Sequence, residues 1–266
     1  MKDVYVLGMA RSPVGSFGGT LSKLSAVELG AHSIRHAVLR ASVGLEDIEE
    51  VYMGQVLQAG AGQAPARQAA LSAGLPESTP CTTINKVCSS GMKSIMMASQ
   101  SIRLGDRSLM VAGGMESMSQ SPFYSHDARW GAKYGNRSLV DGIVRDGLQD
   151  PYDGSMMGVC GDLCADEQGL DRSAQDEYAI ASYKRAQEAS NNGWLDSEIA
   201  PIEIPQRKGD PVVISRDEDI DKVRFEKIPS LRPVFNKEGS VTAANASNIN
   251  DGAAALVLAS DQWIEA

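Results

Sequence analysis

The sequence predicts an α/β protein with a parallel sheet that is interrupted by an insertion. Over roughly the first 118 residues, short apolar or β-branched runs alternate with helical patterns, which is typical of parallel strands joined by right-handed crossovers. Turn signals then dominate residues 118–170, including Asp-Gly pairs at 141–142 and 146–147. The apolar run at 253–258 indicates that the sheet resumes near the end of the sequence.

Each element of the first part has its own local signal. Ser25 and Glu28 form the S-x-x-E pattern of a capping box, which marks the start of the first helix. Pro65 suits the first turn of the second helix and Gly74 suits its end. Residues 82–87 are rich in β-branched side chains, which favour a strand. In order, we expect a strand at 4–7, a helix ending near 39, a strand at 51–56, a helix at 65–74, a strand at 82–87, a helix at 90–105 and a strand at 109–112.

The rest of the sequence predicts an inserted domain and a return to the sheet. One long helix is expected from about Ser173 to Asn191, whereas residues 201–233 are polar and without a regular pattern. Regular structure is expected to return at Val241. We therefore predict three segments, which are the first part of a sheet domain at 1–118, an inserted α+β loop domain at 119–248 and the return to the sheet at 249–266.

Composition and charge exclude several classes of protein. The 266 residues carry a formal net charge of −9, which argues against binding to nucleic acid or to an anionic membrane surface. No apolar run approaches the length of a membrane span, and residues 1–7 do not resemble a secretory signal. The four cysteines lack paired short spacings, which indicates a reducing compartment, and no metal site is expected because Cys160 and Cys164 have no matching second pair.

Cys88 is the candidate nucleophile. It lies in the sequence NKVCSSGM at 85–92, where a predicted strand ends and a helix begins. Ligands of open α/β sheets gather at the carboxyl ends of strands, and the N–H groups of a helix N-terminus favour a thiolate and can stabilise an oxyanion. Position alone leaves a buried structural cysteine as an equal alternative.

Longer motifs decide between these alternatives. They are NKVCSSGMK at 85–93, VAGGMESMS at 111–119 and TAANASNINDGAAA at 242–255, supported by ARSPVGSF at 10–17 and GQAPARQ at 62–68. With these motifs the sequence resembles the thiolase family over its whole length, in particular the acetoacetyl-CoA thiolase branch. The resemblance implies the thiolase N-terminal βαβ sheet domain with its inserted loop domain, without the C-terminal repeat domain.

The resemblance implies acyl transfer through Cys88. The nucleophile would be acylated by an acyl-CoA, and a second acetyl-CoA would then attack the acyl-enzyme to form acetoacetyl-CoA, or the reverse by thiolysis. The family's catalytic His, oxyanion-hole Asn and second Cys lie in motifs that these residues do not contain, and none of His32, His36 or His126 is expected to act as the base. The isolated chain is therefore expected to be inactive in turnover, and a non-catalytic CoA-binding subunit or fragment is the alternative.

The resemblance also implies partners and a compartment. The substrates would be acetyl-CoA, acetoacetyl-CoA and CoA, with no further cofactor. A homodimer or homotetramer is expected, in the cytoplasm or, alternatively, in the mitochondrial matrix.

Residues of the insertion would bind the CoA. Residues 201–240 hold eight basic and eight acidic residues, so this segment is neutral in an acidic chain, and Lys222 is the preferred contact to a phosphate or the nucleotide. Met156 occupies a position where family members dedicated to acetoacetyl-CoA often have His, which leaves open a 3-ketoacyl-CoA thiolase of broader chain length. The full set of predicted CoA-binding residues is Leu148, Met156, Met157, Lys222, Phe235, Ala243, Ala246 and Ser247.

Overall fold

The protein has the predicted α/β fold. A computed structural model describes residues 3–131 and 133–265. The strands are β1 (Val4–Arg11), β2 (Gly15–Ser16), β3 (Glu50–Gly54), β4 (Cys81–Ile84), β5 (Leu109–Ser117), β6 (Phe123–Tyr124), β7 (Val140–Asp141), β8 (Ile202–Ile204), β9 (Val212–Ile214) and β10 (Asn250–Ser260). The helices are α1 (Ala26–Ala41), α2 (Pro65–Ala73), α3 (Ser90–Leu104), α4 (Met157–Glu167), α5 (Arg172–Asn191) and α6 (Asp261–Glu265).

The chain divides into two compact units. The first comprises Met1–Gln120, Leu195–Asp217 and Asn250–Ala266, and the second comprises Ser121–Trp194 and Glu218–Ile249. The predicted insertion is unbroken from 119 to 248. The structure differs, because Leu195–Asp217 belongs to the same unit as the sheet.

Hydrogen bonds and apolar packing explain why Leu195–Asp217 joins the first unit. Arg11 donates to the carboxylates of Glu198 at 2.7 Å and Asp217 at 2.7 and 3.0 Å. The antiparallel hairpin of β8 and β9, which was missed because residues 201–233 are polar, packs Ile202 in a cluster with Leu21 and Leu29.

The sheet of the first unit is mixed, with the strand order β1-β10-β5-β3-β4. β3 is parallel to β4 and β5, whereas β10 is antiparallel to β1 and β5, so β1, β3, β4 and β5 share one direction. The prediction of a parallel sheet was therefore wrong for the last strand, β10. The pairing of Asp251 with Ser117 shows the reason, because β10 begins where β5 ends and runs back beside it.

Helices cover both faces of this sheet. In β5, Val111 packs in the core with α1 and α2, whereas Met110 and Ala112 pack with Ala98 and Ile102 of α3. This alternation follows the two-residue period of a strand. The predicted capping box of α1 is present, since the Ser25 hydroxyl accepts from the Glu28 N–H at 3.2 Å and the Glu28 carboxylate accepts from the Ser25 N–H at 2.8 Å.

The second unit contains α4, α5 and the β6–β7 ladder. α4 lies in the stretch that was expected to consist of turns, because Gly158 and Gly161 weaken its helical signal. No strand forms at Val241, and regular structure returns only at Asn250. Buried polar side chains, including Asp162, Asp176 and Thr242, lie among its apolar ones. None of the helices in the described ranges combines the length and apolar character that a membrane span requires.

Two neighbouring histidines on α1 make the first unit sensitive to acid. The rings of His32 and His36 have centroids 4.4 Å apart, and His32 Nε2 lies 3.0 Å from the Ala200 carbonyl oxygen. Burial is the largest cause that lowers the pKa of both histidines below the ordinary value of 6.5, and the positive charges of Arg35 and Arg40 add to it. The bond to the Ala200 carbonyl partly opposes the shift in His32, whereas the charge of His32 lowers the pKa of His36 further. The unfolded chain therefore binds more protons at these two rings than the folded chain does as the pH falls through 6.5.

We expect the free energy of unfolding to fall as the pH drops through 6.5. His36→Gln should reduce this loss, because it removes one ionisation that the folded state disfavours. Urea unfolding at pH 7.5 and pH 5.5 measures the difference, with the value at pH 7.5 reporting the cost of the substitution itself. An identical loss in both proteins would contradict the assignment.

Candidate functional site

The turn between β4 and α3 presents Cys88. The predicted strand at 82–87 ends earlier, at Ile84, because the Asn85 side-chain oxygen accepts from the Val87 N–H at 2.9 Å and turns the backbone. The Ser90 hydroxyl closes the turn by donating to the Val87 carbonyl at 2.6 Å and accepting from the Lys86 N–H at 2.8 Å. Cys88 is a free and exposed thiol one residue before the N-cap of α3, so the buried structural alternative does not apply to this chain.

Backbone bonds within the turn limit which N–H groups can serve a substrate. The Ser89 N–H donates to the Lys86 carbonyl at 3.2 Å, and the Ser90 N–H donates to the Val87 carbonyl at 3.0 Å. These two amides are already used by the turn. An oxyanion formed beside Cys88 would therefore need other donors than these two.

Two glycines of the sheet, Gly54 and Gly114, allow the first turn of α3 to lie directly on it. A Cβ atom on Gly54, the last residue of β3, would be 2.5 Å from the Ser90 carbonyl carbon and 2.6 Å from the Gly91 nitrogen. A Cβ atom on Gly114 of β5 would be 3.2 Å from the Gly91 Cα. These two glycines, one at the end of β3 and one within β5, thus fix the depth at which Cys88 is held.

Glu116 is a further residue that supports this turn and that the sequence did not single out. Its carboxylate accepts from the N–H groups of Val56 at 2.9 Å and Leu57 at 3.3 Å, and Asn85 donates to the Val56 carbonyl at 3.4 Å. Burial raises the pKa of Glu116. Its position in the otherwise apolar strand at 109–117 is the signal that could have identified it.

Val87 adopts a left-handed backbone conformation, with φ of 48°. This region is unfavourable for a β-branched residue, and Asn adopts it more readily. We expect Val87→Asn to raise the free energy of unfolding by about 1 kcal/mol, because the Val87 side chain is 53% exposed and contributes little packing. Val87→Ala should give a smaller gain. Chemical unfolding of the three proteins tests this, and a less stable Asn variant would contradict it.

The second unit holds a cavity of about 280 Å³. Its lining includes three basic side chains, Lys222, Arg224 and Lys227, and one acidic side chain, Asp219. Apolar groups such as Ile228 and Leu231 form much of the remaining wall. The excess of positive charge suits an anionic ligand that also has an apolar part.

Lys222, the predicted phosphate contact, lies in this cavity but is engaged by its neighbours. Its amino group lies 2.6 Å from the Glu218 carboxylate and 3.9 Å from that of Asp219. Arg224 and Lys227 are exposed cations in the same lining, and neither was predicted as a contact of the ligand. The cluster of basic residues at 222–227 was the signal for them.

The other predicted CoA-binding residues fall into two groups within this unit. Ala243 lines the cavity, and Ala246 and Ser247 follow it on the same loop, where Ser247 is exposed. Met156 is the N-cap of α4 and Met157 its first residue. Phe235 belongs with this second group, since a Cβ atom on Gly158 would overlap its ring.

Leu148 is close to the second group, because the next residue, Gln149, forms an antiparallel bridge with Met156. It ends a π-helical turn, Val144–Leu148, and is half-buried. Within residues 3–131 and 133–265, no three His, Cys, Asp or Glu side chains are grouped closely enough to hold a metal ion.

Comparisons with known proteins agree with these features. Residues 4–262 match the family model described as thiolase, N-terminal domain. The cytosolic acetyl-CoA acetyltransferase of Gibberella zeae is 50% identical over 98% of this chain, and the mitochondrial acetyl-CoA acetyltransferase of Danio rerio is 52% identical over 97% of it. The chain spans less than two thirds of these two relatives, at 66% and 61% of their lengths.

A solved structure gives the same assignment. The Acat5 thiolase from Ascaris suum, crystallised in complex with coenzyme A, matches 99% of this chain with a TM-score of 0.93 and 43% sequence identity, and 67% of that chain is covered. The match of the family model to nearly every residue, together with this fold and these relatives, establishes that the chain belongs to the thiolase family.

Proposed function

We propose that this protein transfers acetyl groups between CoA thioesters, joining two molecules of acetyl-CoA to acetoacetyl-CoA and catalysing the reverse thiolysis. The observation that carries the proposal is the exposed Cys88 thiol on a hydrogen-bonded turn at the start of α3. The names of the Gibberella zeae and Danio rerio relatives support the same reaction.

The first half-reaction requires only a nucleophile and a bound thioester. The Cys88 sulfur attacks the acetyl carbonyl carbon, the bond from this carbon to the CoA sulfur breaks, and CoA leaves with the proton lost by the thiol. One thioester bond is broken and another is formed, so the free-energy change of this half-reaction is small.

The second half-reaction requires proton transfer at carbon. A second acetyl-CoA must lose a methyl proton before its carbon attacks the carbonyl carbon of the acetyl group on Cys88. The bond from that carbon to the Cys88 sulfur then breaks, acetoacetyl-CoA leaves, and the sulfur regains a proton. The family groups that would do this are in motifs not found among these 266 residues. We therefore propose that the isolated chain is acylated but does not turn over.

CoA would be bound by the second unit. Its cavity offers Arg224 and Lys227 to the phosphates, together with Lys222, whose charge is shared with Glu218 and Asp219. Ile228 and Leu231 would contact the apolar part. Ala243, Ala246 and Ser247 would line the pantetheine arm, with Phe235, Met157 and Leu148 as further contacts. The crystallised relative's complex with coenzyme A supports this class of ligand.

Assembly and compartment complete the proposal. We infer a homodimer or homotetramer that works in lipid metabolism in the cytoplasm, with the mitochondrial matrix as the alternative. The names of the relatives include both a cytosolic and a mitochondrial form. No cofactor besides the CoA thioesters is required by this chemistry.

Quantifying the CoA released from acetyl-CoA tests the proposed reaction. The chain should release up to one equivalent of CoA and then stop, with no acetoacetyl-CoA formed, when both are followed by liquid chromatography. Absence of any CoA release would overturn acyl transfer. Continuous formation of acetoacetyl-CoA would instead overturn the inactivity in turnover.

A thiolase acting on longer 3-ketoacyl-CoAs is the second candidate, and Met156 is the observation that favours it. This flexible apolar side chain lies at the N-cap of α4, next to the predicted CoA contact Met157. Comparing the rates of Cys88 acylation by acetyl-CoA and hexanoyl-CoA separates the two. A faster reaction with acetyl-CoA supports the first candidate, and a faster reaction with hexanoyl-CoA supports the second.

A further inference from the structure

A buried carboxylate on α5 joins the two walls of the cavity in the second unit. The first wall is the loop at 240–248, which contributes Ala243, Ala244 and Asn248 to the lining. The second wall is the segment at 224–231, which contributes Arg224, Lys227, Ile228 and Leu231. Asp176, which is 5% exposed, lies behind both walls and does not itself line the cavity.

The link from Asp176 to the first wall passes through Asn245. The Asn245 amide donates to the Asp176 carboxylate at 3.0 Å and to the Ser240 carbonyl at 3.2 Å, while its oxygen accepts from the Thr242 N–H at 2.7 Å. Only an amide can donate and accept in this way, since a carboxylate at position 245 would have no N–H. Asn245 therefore ties the fold of this loop to α5.

The link to the second wall passes through Arg172. Its Nε donates to the other Asp176 oxygen at 2.8 Å, and its Nη2 donates to the Ile228 carbonyl at 2.9 Å. Because Ile228 is buried and lines the cavity, this bond fixes the depth of the second wall.

A second buried carboxylate anchors the first wall to α4. Asp162 of α4, which is 4% exposed, accepts from the N–H groups of Ser240 at 2.7 Å and Val241 at 2.8 Å. Gln175 of α5 adds a bond of 2.8 Å to the Ser240 hydroxyl. Both helices thus hold the start of the loop, and Asp176 alone among these groups is connected to both walls.

We propose that Asp176, together with Asn245 and Arg172, is a positioning residue that sets the spacing of the two walls around the nucleotide part of CoA. This inference rests on the proposed function, since the ligand is taken to be CoA. Asp176 acts through its two partners and makes no contact of its own with the ligand.

Replacing either Asp176 or Asn245 tests the proposal. Asp176→Asn removes the charge that holds Arg172, and Asn245→Asp places two carboxylates against each other. Each should weaken the binding of CoA by about tenfold, as measured by calorimetric titration. Glu177→Gln, at the neighbouring exposed position on α5, is the control and should stay within about twofold of the unaltered chain.

Hydrogen exchange of the unliganded variants gives the structural readout. Both single variants should exchange faster at 225–231 and at 240–246, whereas Glu177→Gln should not. A variant that unfolds loses protection everywhere. Arg172→Lys then replaces it, since this change keeps Asp176 and Asn245 while removing the Nη2 bond to the Ile228 carbonyl.

The outcomes separate this inference from the proposed function. If the unaltered chain does not bind CoA, the proposed function loses its binding site and the positioning role is overturned with it. If the unaltered chain binds CoA and the single variants bind equally well, only the positioning role is overturned. Faster exchange in one wall alone would also overturn it.

Discussion

Replacing Cys88 with alanine is expected to abolish the release of CoA from acetyl-CoA. The described part of the chain contains four free cysteines, but Cys88 is the one on the turn at the carboxyl ends of the parallel strands, where the backbone and Ser90 hold it in place. Loss of the nucleophile removes the covalent step altogether, so the expected effect is at least about a thousandfold on the rate. The stoichiometric release of CoA, followed by liquid chromatography, is the measurement.

Cysteines elsewhere provide the matched controls. Cys160 and Cys164 are exposed thiols on α4, in the second unit, and alanine at either position should leave the release of CoA unchanged within about twofold. CoA release that persists in Cys88→Ala and disappears in Cys160→Ala or Cys164→Ala would show that the nucleophile lies on α4 in the second unit, which would contradict the assignment to Cys88.

Adding a single methyl group at Gly54 is expected to have the second large effect. The new Cβ would lie 2.5 Å from the Ser90 carbonyl carbon, which is backbone, so α3 would have to shift away from β3. Overpacking of this kind costs about 1–3 kcal/mol of the free energy of unfolding. The same shift moves Cys88, and a displacement of about 1 Å can reduce the acylation rate by about a hundredfold. Urea unfolding and the rate of acetylation measure the two effects.

Gly252 of β10 is the control for this substitution. It belongs to the same sheet, but a Cβ there would meet its nearest neighbour, the Ser12 hydroxyl oxygen, at an ordinary 3.5 Å. Gly252→Ala should therefore change stability by less than about 0.5 kcal/mol and leave acetylation intact. Equal effects of the two substitutions would show that α3 does not depend on the absence of a side chain at Gly54.

Local signals in the sequence predicted much of the first unit. The capping box at Ser25, the proline at the start of α2 and the apolar run at 109–112 are encoded within a few residues, and each was found where it was predicted, although β5 continues to Ser117. The candidate nucleophile was also placed correctly between β4 and α3, because the thiolase motif spans the turn.

Features that depend on distant residues could not be predicted in this way. The antiparallel direction of β10 follows from where the chain re-enters the sheet, which no local pattern reports. The return of Leu195–Asp217 to the first unit depends on Arg11, which is far away in the sequence. α4 was missed because its buried face is formed by Asp162 and Ala165 rather than by large apolar side chains.

The residues of the candidate site, too, were predicted only in part. Lys222 was chosen from its charge, but only the structure reveals that Glu218 and Asp219 already neutralise it, while Arg224 and Lys227 share the cavity. The roles of the predicted CoA contacts remain predictions.

Peptide mapping of the chain after incubation with acetyl-CoA is the most direct test of the central claim. The chain is digested under conditions that preserve thioesters, and the acetylated peptide is identified by tandem mass spectrometry. The account predicts one acetyl group per chain, on Cys88, and none in Cys88→Ala. An acetyl group on Cys160 or Cys164, or a chain that is not acetylated at all, would contradict it.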